Sequence, residues 1–408
     1  MTGSVNRAAG DETRLARAAL TWLAEPGTWS VYDLVADSGP VVALQRLLAG
    51  DVPQPRLRAA VAARLAAGDP QRMAELALRQ ARRLGARLVV PEDEEWPTQV
   101  GDLIRLRASD DSRRVDRETA PPLCIWVRGP WPLGETLDRA VAVVGARAAT
   151  SYGTHVATDL GYGLAERGWT VVSGGAYGVD AAAHRGALTG GRPTVAVLAC
   201  GIDRPYPAGN AALFDRIADA GLLISEWPPG AAPLRPRFLI RNRVIAAATA
   251  GTVLVEAAAR SGATQTLRRA LGIGRPSMVV PGPVTSAMSV GCHELLREYP
   301  EARLVTGVPH IVEEVGRIGD DLAQPPRGPR HPRDLLDDES ALLLESLPRR
   351  GTLDAQELAA RAGVELRTTL RKLSALEDLG LLVRRDDGYA LAPTLKEQPP
   401  TAGSGMAG

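Results

Sequence analysis

The sequence predicts an α/β protein with a doubly wound, largely parallel sheet, and three observations support this fold class. Between residues 139 and 318, short apolar segments alternate regularly with longer amphipathic ones, as strands and helices do in such sheets. The apolar segments lack a polar face, which is typical of parallel strands that are buried on both sides. Glycine-rich turns follow several of these segments, where the chain must turn sharply from a strand into a helix.

The predicted elements of this core follow from the same pattern. The strands are Ala140–Gly145, Thr170–Gly174, Thr194–Gly201, Leu222–Trp227, Thr252–Ala257, Ser277–Gly282 and Ala302–Thr306. The helices between them are Ser151–Arg167, Ala181–Leu188, Ala211–Ala220, Arg241–Ala250, Thr264–Leu271 and His293–Tyr299. Because doubly wound sheets bind ligands at the carboxyl ends of their strands, we expect the functional site in the turns that follow these strands.

Two smaller regions precede this core. Residues 1–85 are predicted to form a helical domain, since their apolar residues recur at helical spacing and Pro26-Gly27 and Gly39-Pro40 punctuate the pattern. Residues 86–318 form the α/β domain, which begins with predicted strands at 87–91 and 124–129. The polar stretch 107–120 between those two strands predicts a flexible insertion.

The region after the core is predicted to form a separate module. Residues 319–334 predict a proline-rich linker, and residues 335–393 a small domain with a leucine stripe that ends at Gly380, followed by a hairpin. Helices followed by a hairpin favour a winged helix-turn-helix, although whether it would touch duplex DNA or protein stays open. The tail 394–408 is expected to be disordered.

Composition argues against a strongly basic, membrane-spanning, secreted or metal-binding protein. The 408 residues carry a net charge of only +1, so any nucleic-acid site must be a local patch. No apolar run is long enough to span a membrane, and residues 1–12 lack a signal core, so we expect a cytoplasmic protein. The cysteines Cys124, Cys200 and Cys292 lack metal-ligand spacing and are expected to be reduced thiols. We therefore predict no metal and no cofactor.

The turns after the predicted strands combine glycines with arginines. Glycines let backbone N–H groups approach an anion, and arginines add planar donor forks that suit phosphate. Several such turns in one sheet favour a ligand with many phosphates, which indicates a polynucleotide. The candidate phosphate ligands are Gly145, Arg147, Ser173, Gly174, Gly178, Arg241, Asn242, Arg243, Ser261 and Gly262.

Some of these assignments have alternatives. Arg241 and Arg243 cannot share a helix face, so one is expected to reach the strand-end crevice and the other to pair with a carboxylate such as Glu226 or Glu256. Tyr206, Pro207 and Phe238 offer flat surfaces on which bases could stack, or they could pack in the core. Of these, we include Phe238 among the candidate nucleic-acid contacts.

The sequence does not supply a complete set of catalytic residues. Asp180 and His184 are four residues apart, but no spacing supplies a third partner, so we interpret Asp180 as a helix cap and His184 as structural.

The motifs, taken in order, resemble the DprA/Smf family of bacterial DNA-processing proteins. The residues that carry the resemblance are Gly145–Arg147, Ser173–His184, Gly201–Asn210, Ser225–Gly230, Phe238–Ala246, Arg260–Gly262, Pro281–Gly282 and Gly291–His293. The chain departs from the family pattern at four places: Tyr177 where many members have a basic residue, Leu239 after Phe238, Ala263-Thr264-Gln265-Thr266 after Gly262, and Pro300-Glu301, which lengthens a turn before Ala302.

The resemblance implies a Rossmann-like core, a domain similar to sterile-alpha-motif or helix-hairpin-helix folds at the amino terminus, and a carboxyl-terminal winged helix. It also implies a homodimer that binds single-stranded DNA and loads the RecA recombinase during natural transformation without covalent chemistry. Two other functions stay open: a nucleotide-hydrolysing enzyme that uses Glu256 to cleave an N-glycosidic bond, and an adaptor whose terminal domains bind proteins while the core is inert.

Overall fold

The structure is a computed structural model that describes residues 2–107, 118–316 and 336–393, with backbone alone for residues 2–9. It divides into two units, Met1–Ala323 and Gln324–Gly408, and each is treated by itself. The predicted linker 319–334 and tail 394–408 lie outside the described residues, as does most of the predicted insertion 107–120.

A nine-stranded sheet forms the centre of the first unit, in the order β1-β2-β6-β5-β4-β3-β7-β8-β9. Strands β3 to β9 run parallel to one another, and β2 joins β6 antiparallel. The chain winds outward from β3 in both directions, which confirms a doubly wound, mostly parallel sheet. The strands are β1 Ala86–Val89, β2 Ile125–Arg128, β3 Ala140–Val144, β4 Thr170–Ser173, β5 Thr194–Leu198, β6 Leu222–Ser225, β7 Gly251–Leu254, β8 Ser277–Val279 and β9 Arg303–Leu304.

Helices cover both faces of this sheet, and each predicted core helix is present. They are α5 Leu133–Asp138, α6 Ser151–Glu166, α7 Val179–Thr189, α8 Ala211–Ala220, α9 Arg235–Ala247, α10 Ala263–Gly272, α11 Val290–Glu298 and α12 Val308–Val315, with 3₁₀ turns at Thr98–Arg107 and Ala208–Asn210. The two faces bury separate apolar clusters. Along β3, Ala142 and Val144 belong to one cluster and Val141 and Val143 to the other, because successive side chains of a strand point to opposite faces.

One predicted helix boundary was wrong in a way that matters for the site. The prediction began a helix at Arg241, whereas α9 begins at Arg235 and places Arg241–Arg243 in its middle. Pro236 stands in the first turn of α9, where a missing backbone N–H costs nothing, so the proline starts the helix. The arginines therefore emerge from the centre of a packed helix instead of from its free end.

Four helices form the amino-terminal part of the first unit: α1 Thr2–Leu23, α2 Trp29–Leu48, α3 Pro55–Ala67 and α4 Pro70–Arg83. Helix α2 kinks at Gly39, which has φ +77° before Pro40. Leu20 and Leu47 share one apolar cluster with Trp126 and Phe214 of the sheet region. The helices thus continue the hydrophobic core of the α/β part.

The second unit holds three helices followed by an antiparallel hairpin: α13 Asp338–Ser346, α14 Ala355–Ala362, α15 Leu366–Asp378, β10 Leu382–Arg385 and β11 Gly388–Leu391. Leu373 and Leu376 of the predicted stripe are buried, while Leu366 and Leu370 are exposed. Gly380, with φ +68°, follows the end of α15 as predicted. Among the described residues, none of the helices has the length and apolarity that a membrane crossing requires.

Candidate nucleic-acid interface

The candidate site lies at the carboxyl ends of the parallel strands, where β3 separates β4 from β7 and the winding direction reverses. Such a reversal leaves a crevice between neighbouring loops, which is the usual ligand position in this class of sheet. We call this region the mouth. It comprises the loops 145–150 after β3, 174–178 after β4, 201–207 after β5 and 258–262 after β7, together with the first two turns of α9.

Gly178 brings the first two of these loops into direct contact. Its φ is +76°, and a Cβ at this position would collide with the carbonyl oxygens of Ala146 and Arg147. The next residue, Val179, donates its N–H to the Ala146 oxygen at 3.2 Å. A glycine is therefore required for the close approach that sets Arg147 beside the start of α7.

An internal carboxylate occupies the glycine-rich turn after β4. Asp180 is buried in the first turn of α7, and its Oδ2 accepts N–H bonds from Gly174 at 3.1 Å and Ala176 at 3.4 Å. Ser173 is also buried and donates its hydroxyl to the Val143 oxygen at 2.7 Å. The prediction that Ser173 and Gly174 bind phosphate directly therefore needs correction, because these donors already have partners; they shape the turn.

His184 has a structural environment. The ring is fully buried, and its Nδ1 lies 2.8 Å from the Thr194 hydroxyl. Burial, helped by the positive charge of Arg241, lowers the pKa of His184 to about 3, so the ring is neutral at physiological pH. His184 is thus structural, as interpreted from the sequence. The interpretation of Asp180 as a helix cap was wrong, because Gly178 is the cap residue of α7 and Asp180 accepts instead from N–H groups of the preceding turn.

Arg241 lies beneath the mouth. Its Nη1 donates to the Gly174 carbonyl at 2.8 Å and also to the Val197 carbonyl, so one guanidinium joins the carboxyl ends of β4 and β5. Burial lowers the pKa of Arg241 to about 10, an effect that nearby Asp180 opposes and Arg147 reinforces. Two guanidinium groups therefore share this region, and a bound phosphate would reduce their mutual repulsion.

Arg243 requires a correction. It is fully buried, and its guanidinium forms a two-point ion pair with Glu226, at 2.5 and 2.7 Å. A direct phosphate contact by Arg243 is therefore excluded in this structure, and the alternative that one of the two arginines pairs with Glu226 is the one observed. Asn242 is likewise mostly buried and donates to the Gly262 carbonyl at 3.2 Å, which fixes the turn after β7.

The mouth holds an arginine and two aromatic rings, of which Tyr206 is exposed and Phe238 is half-buried against an apolar cluster. The guanidinium of Arg147 lies 5.3 Å from the ring centroid of Phe238, and Tyr206 meets Phe238 edge to face with centroids 5.7 Å apart. Arg147 is exposed and has no carboxylate partner among the described residues. We call Arg147, Phe238 and Tyr206 the mouth cluster.

The candidate residues chosen from the sequence do not include Tyr177, which the structure places in the mouth. This side chain is 49% exposed, and its hydroxyl packs against Gly209, where a Cβ would collide with it. The loop after β4 therefore adds a third aromatic ring close to the loop after β5. The sequence did mark this position, because Tyr177 stands where many family members have a basic residue.

Glu256 lies at the strand reversal but faces the protein. Its carboxylate accepts from the backbone N–H of Thr150 at 2.9 Å and from the Thr150 hydroxyl at 2.6 Å. Thr150 in turn caps α6 by accepting from the Gly153 N–H. Within the described parts of the chain, no group of three or more histidine, cysteine, aspartate or glutamate side chains is arranged to hold a metal.

The fold and the mouth together define a Rossmann-like α/β protein with an arginine and tyrosine rings exposed at the carboxyl edge of its sheet. The model of the DNA recombination-mediator protein A family matches residues 87–316. The chain belongs to this family, which confirms the resemblance drawn from its motifs.

Individual proteins are similar to this chain over much of its length. The putative DNA processing protein DprA of Mycobacterium tuberculosis is 45% identical over 381 residues, which cover 93% of this chain and 95% of the relative. The X-ray structure of DNA processing protein A from Streptococcus pneumoniae is 27% identical, with a TM-score of 0.60 over 75% of this chain and 98% of that one. A structure of the Helicobacter pylori protein, described in terms of its single-stranded DNA binding mode, is 27% identical, with a TM-score of 0.45 over 56% of this chain and 94% of that one.

Proposed function

We propose that this protein binds single-stranded DNA across the mouth, with little sequence preference, protects the strand and presents it to the RecA recombinase. The observation that carries the proposal is the mouth cluster, in which the exposed guanidinium of Arg147 lies over the ring of Phe238 and this ring contacts Tyr206 edge to face. Unpaired bases stack on aromatic rings, whereas the bases of a duplex are already stacked on each other. Phosphate contacts position the strand without reading its sequence.

The residues have distinct roles in this proposal. Arg147 binds phosphate, while Phe238 and Tyr206 stack with bases and Tyr177 extends the aromatic surface. The backbone at Gly145, Gly178, Ser261 and Gly262 borders the path of the strand. Arg241 adds positive charge from below, Asn242 fixes the turn at Gly262, and Ser173 and Gly174 shape the turn after β4. Arg243 ties α9 to Glu226 after β6 and has no direct part in binding.

Family resemblance supplies the rest of the proposal. On this basis we propose that RecA receives the strand and that the protein works as a homodimer in the cytoplasm. We also propose that the second unit is a winged helix. Three helices followed by a hairpin are compatible with that identity. The wing-like turn carries Asp386 and Asp387, whose charges would repel phosphate.

A titration of the full chain tests the binding proposal. Fluorescence anisotropy should show that labelled oligo(dT) binds more tightly than a duplex of equal length. The logarithm of its affinity should fall linearly with the logarithm of salt concentration, with a slope of about −0.7 for each phosphate contacted. Equal affinity for the duplex, or no binding to either, would contradict the proposal, and the second result would favour the adaptor function.

The structure gives less support to a nucleotide hydrolase. Such an enzyme needs a carboxylate beside the bond to be cleaved, but Glu256 is buried and bonded to Thr150. Incubation with nucleoside monophosphates should release no free base. Release that disappears in Glu256→Gln would replace the binding proposal with a catalytic one.

A further inference from the structure

Helix α4 carries an exposed row of arginines that the proposed site does not use. Arg72, Leu76, Arg79 and Arg83 are spaced at i, i+4, i+7 and i+11, which places them along one face of a helix. All four side chains are exposed. Arg79 forms a long ion pair with Glu75, at 3.5 Å. Arg72 and Arg83 have no carboxylate partner in the described parts of the chain.

Positive charge is concentrated in the segment that contains this row. Residues 54–84 contain seven arginines and two carboxylates, in a chain whose net charge is only +1. Arg82 lies on another side of α4 and lines a groove with Asp11 and Glu94, so it is not part of the row. The row of Arg72, Arg79 and Arg83 is therefore a local cationic surface in a nearly neutral protein.

This row lies next to the mouth. Gln80 of α4 donates to Asp203 Oδ2 at 3.0 Å, and Asp203 Oδ1 accepts from the Gly230 N–H at 2.8 Å. Asp203 belongs to the loop after β5. This loop also carries two exposed residues, Arg204 and Tyr206, and Tyr206 is a member of the mouth cluster. The α4 surface and the mouth thus meet at this loop.

We propose that the α4 row of Arg72, Arg79 and Arg83 is a second phosphate-binding surface, which continues the path of a single DNA strand beyond the mouth. The inference rests on the proposed function of the mouth. Along the helix axis, Arg79 and Arg83 are about 6 Å apart and Arg72 and Arg79 about 10 Å apart. A flexible strand can place phosphates at such intervals, and exposed Leu76 offers an apolar contact between the arginines.

The test compares two triple variants with the wild-type chain. One is Arg72→Ala/Arg79→Ala/Arg83→Ala. The matched control, Arg139→Ala/Arg167→Ala/Arg192→Ala, removes three exposed arginines that precede β3, β4 and β5 at the opposite edge of the sheet. The probes are labelled oligo(dT) strands of about 6 and about 20 nucleotides, chosen so that the short strand fills one site of the size known for single-strand binders.

The α4 variant should bind the long strand at least about tenfold more weakly, and its salt slope should be less negative by about 2, or 0.7 for each of three phosphates. Its affinity for the short strand, and both affinities of the control, should stay at the wild-type values. Thermal unfolding measured by circular dichroism verifies that the variants are folded.

The other outcomes are equally informative. Wild-type affinity of the α4 variant for the long strand would overturn the inference while the proposed function stands, and would point to a protein partner at α4. Equal losses for short and long strands would also overturn it, since the effect would then act through the mouth. Failure of the wild-type chain to bind either strand would instead refute the proposed function.

Discussion

Arg147→Ala combined with Phe238→Ala is expected to weaken single-stranded DNA binding by about 100-fold. A hydrogen bond to a charged group contributes about 1.5–3 kcal/mol, and stacking of one base on an aromatic ring about 1–3 kcal/mol. Each loss alone should reduce affinity about tenfold, because about 1.4 kcal/mol corresponds to a factor of ten. The 100-fold value is the product of the two single effects. Because the two side chains are in contact, the single variants should also be titrated, and any departure from that product measures their coupling.

The control for this variant also removes one arginine and one aromatic residue, but at another place in the fold. Tyr162 and Arg167 are exposed near the carboxyl end of α6, away from the mouth. Tyr162→Ala/Arg167→Ala should bind oligo(dT) like the wild type in the same anisotropy assay. Wild-type affinity of the Arg147/Phe238 double variant would remove the mouth cluster from the DNA path.

Arg243→Ala is expected to lower the free energy of unfolding by about 3–5 kcal/mol, because it leaves the Glu226 carboxylate buried without its partner. Urea denaturation of the full chain measures this loss. DNA affinity of the folded fraction should stay close to the wild-type value, since Arg243 is fully buried. The Arg243 and Arg147 variants should therefore separate stability from binding.

A double replacement sharpens this prediction. Arg243→Met/Glu226→Leu removes both charges and keeps apolar volume, so it should recover most of the stability lost in Arg243→Ala. A large loss of DNA affinity in a stable, folded Arg243 variant would contradict our interpretation of the buried pair. It would return Arg243 to the set of phosphate ligands.

The sequence predicted the parallel strands well but placed their carboxyl ends one to three residues too late. Gly145 and Gly174 directly follow apolar strands, and Gly201 follows one by three residues, yet all three already belong to the turns. Local apolarity does not show where hydrogen bonding to a neighbouring strand stops. The antiparallel pairing of β2 with β6 was also beyond the sequence, because it depends on contacts between segments about a hundred residues apart.

The site was harder to predict than the fold. Glycine and arginine patterns located the mouth, but they could not show which guanidinium groups face solvent. Arg147 lies on a loop and is exposed, whereas Arg241 and Arg243 project from the middle of a helix packed on all sides. The stacking of Arg147 over Phe238 joins residues that are far apart in the chain, so only the folded structure reveals it.

Ultraviolet cross-linking of the full chain to a halogenated single strand, followed by mass spectrometric mapping, tests the central claim most directly. Because bases should stack on the aromatic rings of the mouth, the cross-links should fall on exposed Tyr206 and Tyr177 and on half-buried Phe238. Cross-links confined to residues 336–393, or to the amino ends of the strands, would show that the DNA lies elsewhere and would contradict this account.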